Sequence, residues 1–280
     1  MKFPSLGRSL SLLEPWPAWV DRRRGNYPIE GRRILITGGS SGIGSAAAQR
    51  LAALGAEVVV VARRAAELDE VCARIIESGG KAEALVCDLT DAGQVDELVA
   101  RVGAQWGGVD VLVNNAGRSI RRPVVDSLDR FHDFERVMAV NYFGPVRLTN
   151  GLLPLMVQQG HGHIVNVGTW GVPAGIMPKF AAYHASKAAL TAYGRSLAAE
   201  TADLGISVTA VHFPLVRTPM IEPTTDFRES PALRPDRAAE WIVDAIRTRP
   251  VAVQPRYVTL LGLIEAVAPA RVASLLMDAS

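Results

Sequence analysis

Short apolar runs alternate with segments of helical periodicity along most of this chain. In runs such as 32–37 and 57–62, β-branched residues follow one another with little polar interruption, which is typical of strands buried on both faces. Between the runs, apolar residues recur every three or four positions, which indicates amphipathic helices. The predicted strands are 32–37, 57–62, 82–88, 109–117, 162–168, 206–213 and 251–255, and the predicted helices are 42–55, 65–78, 92–107, 129–158, a segment from about 180, and 235–248.

This alternation predicts an α/β fold. We expect a doubly wound, Rossmann-type arrangement, with a seven-stranded, mostly parallel sheet and helices on both faces. The pattern runs without a linker, so one domain is predicted over 30–256. Residues 1–29 would form an N-terminal extension, and 257–280 an apolar C-terminal helical extension of the same domain. In such sheets, ligands bind beyond the carboxyl ends of the strands.

The composition excludes several classes of function. A net charge of +2 gives no electrostatic basis for binding nucleic acid. The two cysteines, Cys72 and Cys87, lack CxxC spacing and fit a reduced cytosolic protein. No run of about 18 apolar residues occurs, so no membrane span is expected. His161 and His163 have no carboxylate or cysteine at ligand spacing, and we therefore predict no metal site.

Both ends of the chain carry apolar residues with two open interpretations each. Near the N-terminus, leucines and tryptophans precede the basic run 22–24. They either rest on a bilayer surface or pack on the body or on a partner subunit, which we favour. The segment 257–277 is divided by Pro269 into two short helices, which form either a lid over an acyl tunnel or a packed face. We thus expect a cytoplasmic protein, with peripheral membrane contact as an open alternative.

The first predicted strand runs directly into a glycine-rich turn, TGGSSGIG. Glycines permit a tight turn and let the backbone approach a pyrophosphate, and the following helix offers free N–H groups and its positive dipole end. A glycine turn alone is weak evidence, but this one lies between the first strand and the first helix, as a dinucleotide site requires. The residues assigned to the site are Gly38, Ser40, Ser41, Gly42, Ile43 and Gly44.

The end of the second strand bears on which dinucleotide binds. NAD sites usually place an acidic residue there to bind the ribose hydroxyls, but this strand ends in Arg63 and Arg64. An arginine fork can hold a 2′-phosphate, so NADP(H) is favoured over NAD(H), with Arg63 the better candidate. The alternative is that both arginines begin a solvated helix. Asp88, after the third strand, either meets the adenine edge or caps the next helix.

Tyr183 and Lys187 lie one turn apart on one face of the helix that begins near 180. A free phenol has a pKa of about 10 and is a poor proton carrier at neutral pH. Because a neighbouring ammonium favours phenolate, we predict that Lys187 lowers the pKa of Tyr183 and that the pair acts as a general acid–base. The same spacing also occurs where both residues merely decorate a helix surface.

Four motifs occur in the order found in the short-chain dehydrogenase/reductases: TGGSSGIG, NNAG (114–117), Asn141, and Tyr183 with Lys187. The chain resembles that superfamily over roughly 30–255. The resemblance implies that Tyr183 is the catalytic acid–base, that Lys187 is its partner and a ribose ligand, and that Asn141 holds a water in a proton relay. It further implies dimers or tetramers, and a cofactor cleft lined by Leu89, Asn114, Asn115, Ala116, Gly117, Pro214, Val216 and Thr218.

Two stretches depart from the family pattern. The family reads IVNxSS, in which the second serine polarises the substrate carbonyl. Here the stretch IVNVGTWG puts Thr169 at that serine, one residue further from Tyr183 than usual. Thr169 keeps a hydroxyl donor, so we expect it to take the role; the alternative is a strand-end cap. After strand six, the usual PG pair is Pro214 and Leu215, which places a side chain at the cleft edge.

A sharper resemblance lies in 114–148 and in PLVRTPMIEPT. Both stretches look like the bacterial fatty acyl-CoA reductases of the superfamily. This implies hydride transfer to or from a carbonyl of a lipid-like substrate, with reduction of fatty acyl-CoA to aldehyde. Arg118, Arg121 and Arg122 then lie near the substrate mouth, where they could meet the phosphates of coenzyme A. The alternative is a solvated loop paired with the aspartates of 126–133.

Two other functions stay open at this point. The same catalytic groups would serve a ketone or secondary-alcohol dehydrogenase of the steroid or ketoacyl type, because fold and catalytic residues do not fix the substrate. The departure at Thr169 also leaves room for a cofactor-binding sensor without turnover.

Overall fold

The computed structural model describes residues 13–15, 26–222, 224, 227 and 230–278. Its centre is a seven-stranded sheet in the order β3-β2-β1-β4-β5-β6-β7, and every neighbouring pair is parallel. The predicted doubly wound sheet is confirmed. The strands are β1 Arg33–Thr37, β2 Glu57–Ala62, β3 Lys81–Val86, β4 Val111–Asn114, β5 Gly162–Thr169, β6 Ile206–Phe213 and β7 Ala252–Val253.

Helices cover both faces of this sheet. Alternate residues of a strand face opposite sides, and in β1 Ile34 and Ile36 join the core beneath α1, α2 and α7, whereas Leu35 joins the core beneath α3 and α5. The α-helices described are α1 Gly42–Ala53, α2 Ala65–Glu77, α3 Ala92–Trp106, α4 Phe131–Met138, α5 Gly144–Gln159, α6 Ala181–Thr201, α7 Pro235–Thr248, α8 Arg256–Val267 and α9 Pro269–Asp278.

The single helical region predicted over 129–158 is divided in the structure. Helix α4 ends at Met138, a π-helical turn occupies Ala139–Phe143, and α5 follows. Within this turn the buried carboxamide of Asn141 bonds to the backbone of Arg118 on the neighbouring loop. The spacing of apolar residues could not reveal the π-helical turn, because such a turn shifts the helical register by only one residue.

The ends of the chain are only partly described. The N-terminal apolar residues lie outside the described residues apart from 13–15, where Leu13 packs against the core and Glu14 pairs with Arg237 at 2.7 Å. At the other end, α8 and α9 are separate helices, and Pro269 begins the second one, as predicted. No helix in the described part of the chain combines the length and the apolar character needed to cross a bilayer.

The strand order places a cleft at one edge of the sheet. The chain passes outward from β1 to β2 and β3 and then returns to β4 on the other side of β1. The helices α1 and α5, which follow β1 and β4, therefore pack on opposite faces of the sheet. A ligand site is expected at this point, beyond the carboxyl ends of the two strands.

Candidate active site

A cavity of about 1730 Å³ opens at the carboxyl ends of the strands. Loops after β1, β2, β3, β4, β5 and β6 contribute to it, together with α8 and α9. Most of the predicted site residues line it: Gly38, Ser40, Ser41, Gly42, Ile43, Arg63, Asp88, Leu89, Asn115, Ala116, Gly117, Thr169, Tyr183, Lys187, Pro214, Val216 and Thr218. Gly44 and Asn141 do not face the cavity, although both were predicted to belong to the site.

Gly44 supports the glycine turn from beneath. A Cβ at Gly44 would lie 2.3 Å from the carbonyl oxygen of Gly38, and a Cβ at Gly38 would lie 2.7 Å from the Cα of Ala116. Gly38 also has a φ of +65°, which L side chains rarely adopt. The loops after β1 and β4 thus touch backbone to backbone, and larger residues at these two glycines would separate them.

Thr37 and Asn115 fasten the same two loops by hydrogen bonds. The Thr37 hydroxyl accepts from the backbone N–H groups of Asn115 and Ala116, each at 3.0 Å. The Asn115 side-chain amide donates to the carbonyl oxygens of Thr37 and Gly38. Sequence reasoning did not assign this role to Thr37, although its place at the end of β1 was visible.

The start of α1 fits an anionic ligand. Its N-cap residue, Ser41, makes no side-chain capping hydrogen bond, and the first turn carries no acidic residue. The free N–H groups and the positive dipole end of α1 therefore face the cavity without a built-in anion. Together with the glycine cradle, these features fit the pyrophosphate of a dinucleotide.

Arg63 stands just beyond β2, at the cavity, with its side chain 71% exposed and 3.7 Å from Asp88. Burial raises the pKa of Asp88, but hydrogen bonds from Thr90 and the nearby Arg63 outweigh it and hold the pKa below its usual value. Of the two roles left open for Asp88, the helix cap is wrong, because Asp91 accepts from the N–H of Gln94 there at 3.1 Å. Its role at the adenine edge remains a prediction.

Tyr183 and Thr169 meet at the centre of the cavity. The Thr169 hydroxyl is close enough to the phenol to share a hydrogen bond with it, and it also donates to the Met177 sulfur at 3.9 Å. The residue extra to the family spacing therefore does not separate Thr169 from Tyr183. Burial raises the pKa of Tyr183 to about 12, and the Thr169 hydrogen bond opposes this shift. The pKa is therefore raised in this structure, contrary to the predicted lowering, because burial of the phenol dominates.

Lys187 follows Tyr183 by one turn of α6 and is only 2% exposed. Its ammonium donates to the carbonyl oxygen of Val167 at 2.8 Å. Burial lowers the pKa of Lys187 to about 8. Since that value lies nearer to neutrality than the value for Tyr183, the amine is the member of the pair that titrates closer to physiological pH.

Asn141 is fully buried and holds the loop after β4. Its carboxamide oxygen accepts from the N–H of Arg118 at 2.8 Å, and its amide donates to the carbonyl oxygen of Arg118 and to the Ser186 hydroxyl, each at 2.9 Å. A Cβ at Gly117 would lie 3.2 Å from this carboxamide oxygen and 3.4 Å from the Lys187 ammonium. Asn141 therefore adjoins Lys187, and the water relay remains a prediction.

Asn114 does not line the cleft, contrary to the implication of the family pattern. It is 1% exposed, and its amide donates to Thr149 at 3.1 Å and to Asn166 at 2.9 Å. These bonds connect β4 to β5 and α5 beneath the cavity floor.

His212 of β6 lies directly behind Thr169. Its ring lies against the backbone of Thr169, and a Cβ at Gly168 would lie 2.5 Å from its Nδ1. Burial lowers the pKa of His212 to about 4, an effect that Lys187 strengthens and the Thr169 bond opposes, so the ring is neutral at physiological pH. Gly168, which replaces the family's first serine, thus leaves room for this imidazole. The sequence did not reveal this contact, because His212 stands alone there.

The loop after β6 closes over the glycine turn. Thr218 approaches Gly42, where a Cβ would lie 3.1 Å from its methyl carbon, and its hydroxyl donates to the carbonyl oxygen of Val216 at 3.4 Å. Leu215 lines the cavity, as expected for a side chain at the edge of the cleft.

One wall of the cavity is apolar and comes from the two C-terminal helices. Tyr257, Leu260, Leu261 and Ile264 of α8 and Leu276 of α9 line it. The ring of Tyr257 lies 6.4 Å from that of Trp170, in the loop after β5. The segment 257–277 therefore borders the site rather than packing elsewhere on the body.

The three arginines after β4 separate into two groups. Arg118 and Arg121 line the cavity, whereas Arg122 faces the buried Asp133 at 3.9 Å. Arg136 of α4, which sequence reasoning missed, joins the first two at the cavity. Its position one helical turn before the π-helical segment gave no signal in the sequence.

The histidines predicted not to bind metal have other partners. His161 meets Asp110 at 2.9 Å, and His163 meets the Thr209 hydroxyl at 2.9 Å. Within the described residues, no group of His, Cys, Asp and Glu side chains is arranged to hold a metal ion.

A parallel nucleotide-binding sheet with a tyrosine, a lysine and a hydroxyl donor at the carboxyl ends of its strands is typical of a class of NAD(P)-dependent oxidoreductases. The profile of the short chain dehydrogenase family matches residues 32–229, and the chain belongs to that family.

Known relatives agree with this assignment. A fatty acyl-CoA reductase of Mycobacterium tuberculosis is 48% identical over 255 residues, covering 90% of this chain and 87% of that protein. A fatty acyl-CoA reductase of Acinetobacter baylyi is 49% identical over 241 residues, covering 86% and 81%. A 3-oxoacyl-(acyl-carrier-protein) reductase from Agrobacterium tumefaciens, solved with NADP bound, is 28% identical, with a TM-score of 0.71 and coverage of 80% and 92%. The chain is thus an oxidoreductase, which leaves the sensor alternative without support.

Proposed function

We propose that this protein is an NADP(H)-dependent reductase of long-chain acyl thioesters and that it converts fatty acyl-CoA to fatty aldehyde. The observation that carries the proposal is the continuity between the Tyr183–Thr169 pair and the apolar wall formed by α8 and α9. An acyl chain can lie along this wall while its carbonyl meets the two hydroxyls. The names of the two relatives at 48% and 49% identity point in the same direction.

The dinucleotide would be held by the glycine turn, the start of α1 and Arg63. The family cofactor is NAD(P), and our preference for NADP(H) rests on Arg63, whose guanidinium suits a 2′-phosphate. Bound NADPH supplies the hydride that reaches the carbonyl carbon.

Tyr183 and Thr169 would act on the substrate carbonyl. Both hydroxyls donate hydrogen bonds to its oxygen as negative charge develops there, which is the usual source of a large rate gain. Tyr183 then gives its proton to that oxygen and is reprotonated through Lys187, with Asn141 and water completing the path. The buried Lys187 favours this transfer because its pKa of about 8 lets it release a proton near neutrality.

The resulting hemithioacetal would then break its carbon–sulfur bond. The sulfur leaves with the electron pair and takes up a proton, and the hydroxyl proton is lost as the carbonyl reforms. Acyl-CoA, NADPH and one proton thus become aldehyde, coenzyme A and NADP⁺, so that atoms and charges balance.

Incubation of the purified full-length protein with NADPH and palmitoyl-CoA tests this proposal. We expect NADPH oxidation that matches the release of aldehyde and of free thiol, and we expect Tyr183→Phe to abolish all three. Turnover confined to a panel of ketones, with no thiol released from palmitoyl-CoA, would instead establish the ketone or secondary-alcohol reductase.

A further inference from the structure

Three arginines border the substrate end of the cavity, apart from the residues assigned to the dinucleotide. Arg118 and Arg121 follow β4, and Arg136 lies on α4. We call these three residues the arginine rim. The same cavity is also lined by apolar residues of α8 and α9, so its lining includes both cationic and apolar side chains.

Arg118 is fixed beside the reacting groups by its backbone. Both its N–H and its carbonyl oxygen are bonded to the Asn141 carboxamide. The preceding residue, Gly117, lies against the Lys187 ammonium, since a Cβ there would be 3.4 Å from it. The exposed guanidinium of Arg118 therefore starts from a backbone position next to the catalytic centre.

Arg121 lies at the far end of a row of aromatic rings. Its guanidinium lies 5.7 Å from the centre of the Phe227 ring, which stacks on Phe180 at 6.2 Å and 10°. The Phe180 ring in turn lies 6.2 Å from that of Tyr183. Two aromatic rings in successive contact thus lie between this cation and the phenol.

Arg136 belongs to a group with an excess of positive charge. The carboxylate of Asp133 is 5% exposed and faces three guanidinium groups, those of Arg130 at 2.9 Å, Arg136 at 3.5 Å and Arg122 at 3.9 Å. One negative charge opposes three positive ones. Arg136 remains 47% exposed at the cavity, so its charge is available to a bound anion.

We propose that the arginine rim binds the phosphate groups of coenzyme A, while the acyl chain lies along α8 and α9. This inference rests on the proposed function and deepens it. Guanidinium groups bind phosphates through paired hydrogen bonds. In acyl-CoA the pantetheine arm lies between the thioester and the phosphates, just as two aromatic rings lie between Tyr183 and Arg121. Free ketones and aldehydes carry no such anion and would leave the rim unused.

Paired substrates test this assignment. Lauroyl-CoA and lauroyl-pantetheine share the thioester and the acyl chain, but lauroyl-pantetheine lacks the phosphates. We expect wild-type kcat/KM to favour lauroyl-CoA. Each of the variants R121Q and R136Q should lower that preference about threefold to tenfold, and R121Q/R136Q should lower it further, as expected for partly exposed charge pairs. The effect should weaken with added salt.

Arg147→Gln is the matched control. Arg147 on α5 is 49% exposed and lies 3.6 Å from Asp96, which resembles the setting of Arg136, but it does not line the cavity. We expect R147Q to keep the wild-type preference. Equal losses with both thioesters in R121Q/R136Q, or no loss in that variant, would overturn the assignment.

Calorimetric binding of coenzyme A to the NADP⁺-saturated protein separates this inference from the proposed function. We expect wild type to bind coenzyme A at least about tenfold more tightly than R121Q/R136Q. Equal affinity would overturn the arginine rim even in a protein that reduces thioesters. If wild type shows the tenfold difference but releases no thiol from acyl-CoA, the rim is supported and the proposed reaction fails.

Discussion

The two ends of the cavity are built in different ways. The dinucleotide end depends on backbone contacts, and at Gly38 and Gly44 even one added carbon atom would meet backbone of the same turn or of the loop after β4. The substrate end depends on side chains of α4, α8 and α9, and Leu260 in its wall is 63% exposed. The family's dinucleotide, bound as we propose, would therefore meet a rigid backbone cradle, whereas the proposed substrate would meet replaceable side chains.

Tyr183→Phe tests whether the phenol is needed for catalysis but not for binding at the dinucleotide end. We expect kcat to fall by about 10³-fold, because the proton donor is lost, while the Kd for NADPH changes far less. Stopped-flow turnover and fluorescence titration with NADPH measure the two quantities. A variant with more than a tenth of wild-type kcat would show that another group donates the proton.

The Gly168–His212 contact lies behind the catalytic hydroxyl and outside both binding regions. Restoring the family residue in G168S should lower stability by about 1–3 kcal/mol and reduce kcat, because its Cβ would meet the His212 ring. H212A removes that obstacle, so G168S/H212A should regain part of the loss.

A double-mutant cycle in Tm and kcat measures this coupling. H212A alone serves as the reference for the cavity that the missing ring leaves. If the effects of G168S and H212A on Tm and kcat simply add in G168S/H212A, the His212 ring is not the reason that residue 168 must be glycine.

Arg63→Gln should alter the dinucleotide end alone. We expect the KM for NADPH to rise about tenfold, equivalent to ~1.4 kcal/mol, with little change for NADH, because the 2′-phosphate loses its guanidinium. Arg74→Gln is the matched control, since Arg74 on α2 is 49% exposed, lies 3.9 Å from Glu70 and does not line the cavity. Equal increases for both cofactors would place Arg63 against another part of the dinucleotide.

The smallest expected effect is a pH dependence of kcat/KM for NADPH that is caused by the titration of Lys187. The amine is charged below its pKa of about 8 and neutral above it. Reduction needs the proton, so kcat/KM for NADPH should be halved at about pH 8 and fall further as the pH rises. K187R should remove this inflection, because a guanidinium stays charged. An unchanged profile in K187R would assign the inflection to another group.

The dinucleotide end could be predicted from the sequence because its backbone geometry permits only certain residue types at given positions. Only glycine tolerates the φ of Gly38 and the approach at Gly44, so the motif itself records the geometry. The sheet was equally predictable, since each apolar run is long enough to be buried on both faces. The substrate end left weaker traces: Arg136 and Arg122 look alike in the sequence and both contact Asp133, and only the folded structure shows that Arg136 lines the cavity while Arg122 does not.

The predicted pKa of Tyr183 failed for a related reason. The i, i+4 spacing with Lys187 fixes which residues are neighbours, but not how deeply the phenol is buried, and burial determines the direction of the shift. Asn141 shows the same limit of sequence reasoning. Its place among the family motifs predicts a site residue, but the sequence does not reveal that its buried carboxamide accepts a hydrogen bond from the backbone N–H of Arg118.

The imidazole at 212 and the missing side chain at 168 impose an order on evolutionary change. A lineage that kept serine at 168 could not acquire this histidine without a clash, so the glycine must have arisen first or at the same time. Alignments of homologues should therefore show the two positions covarying, with serine and histidine rarely together.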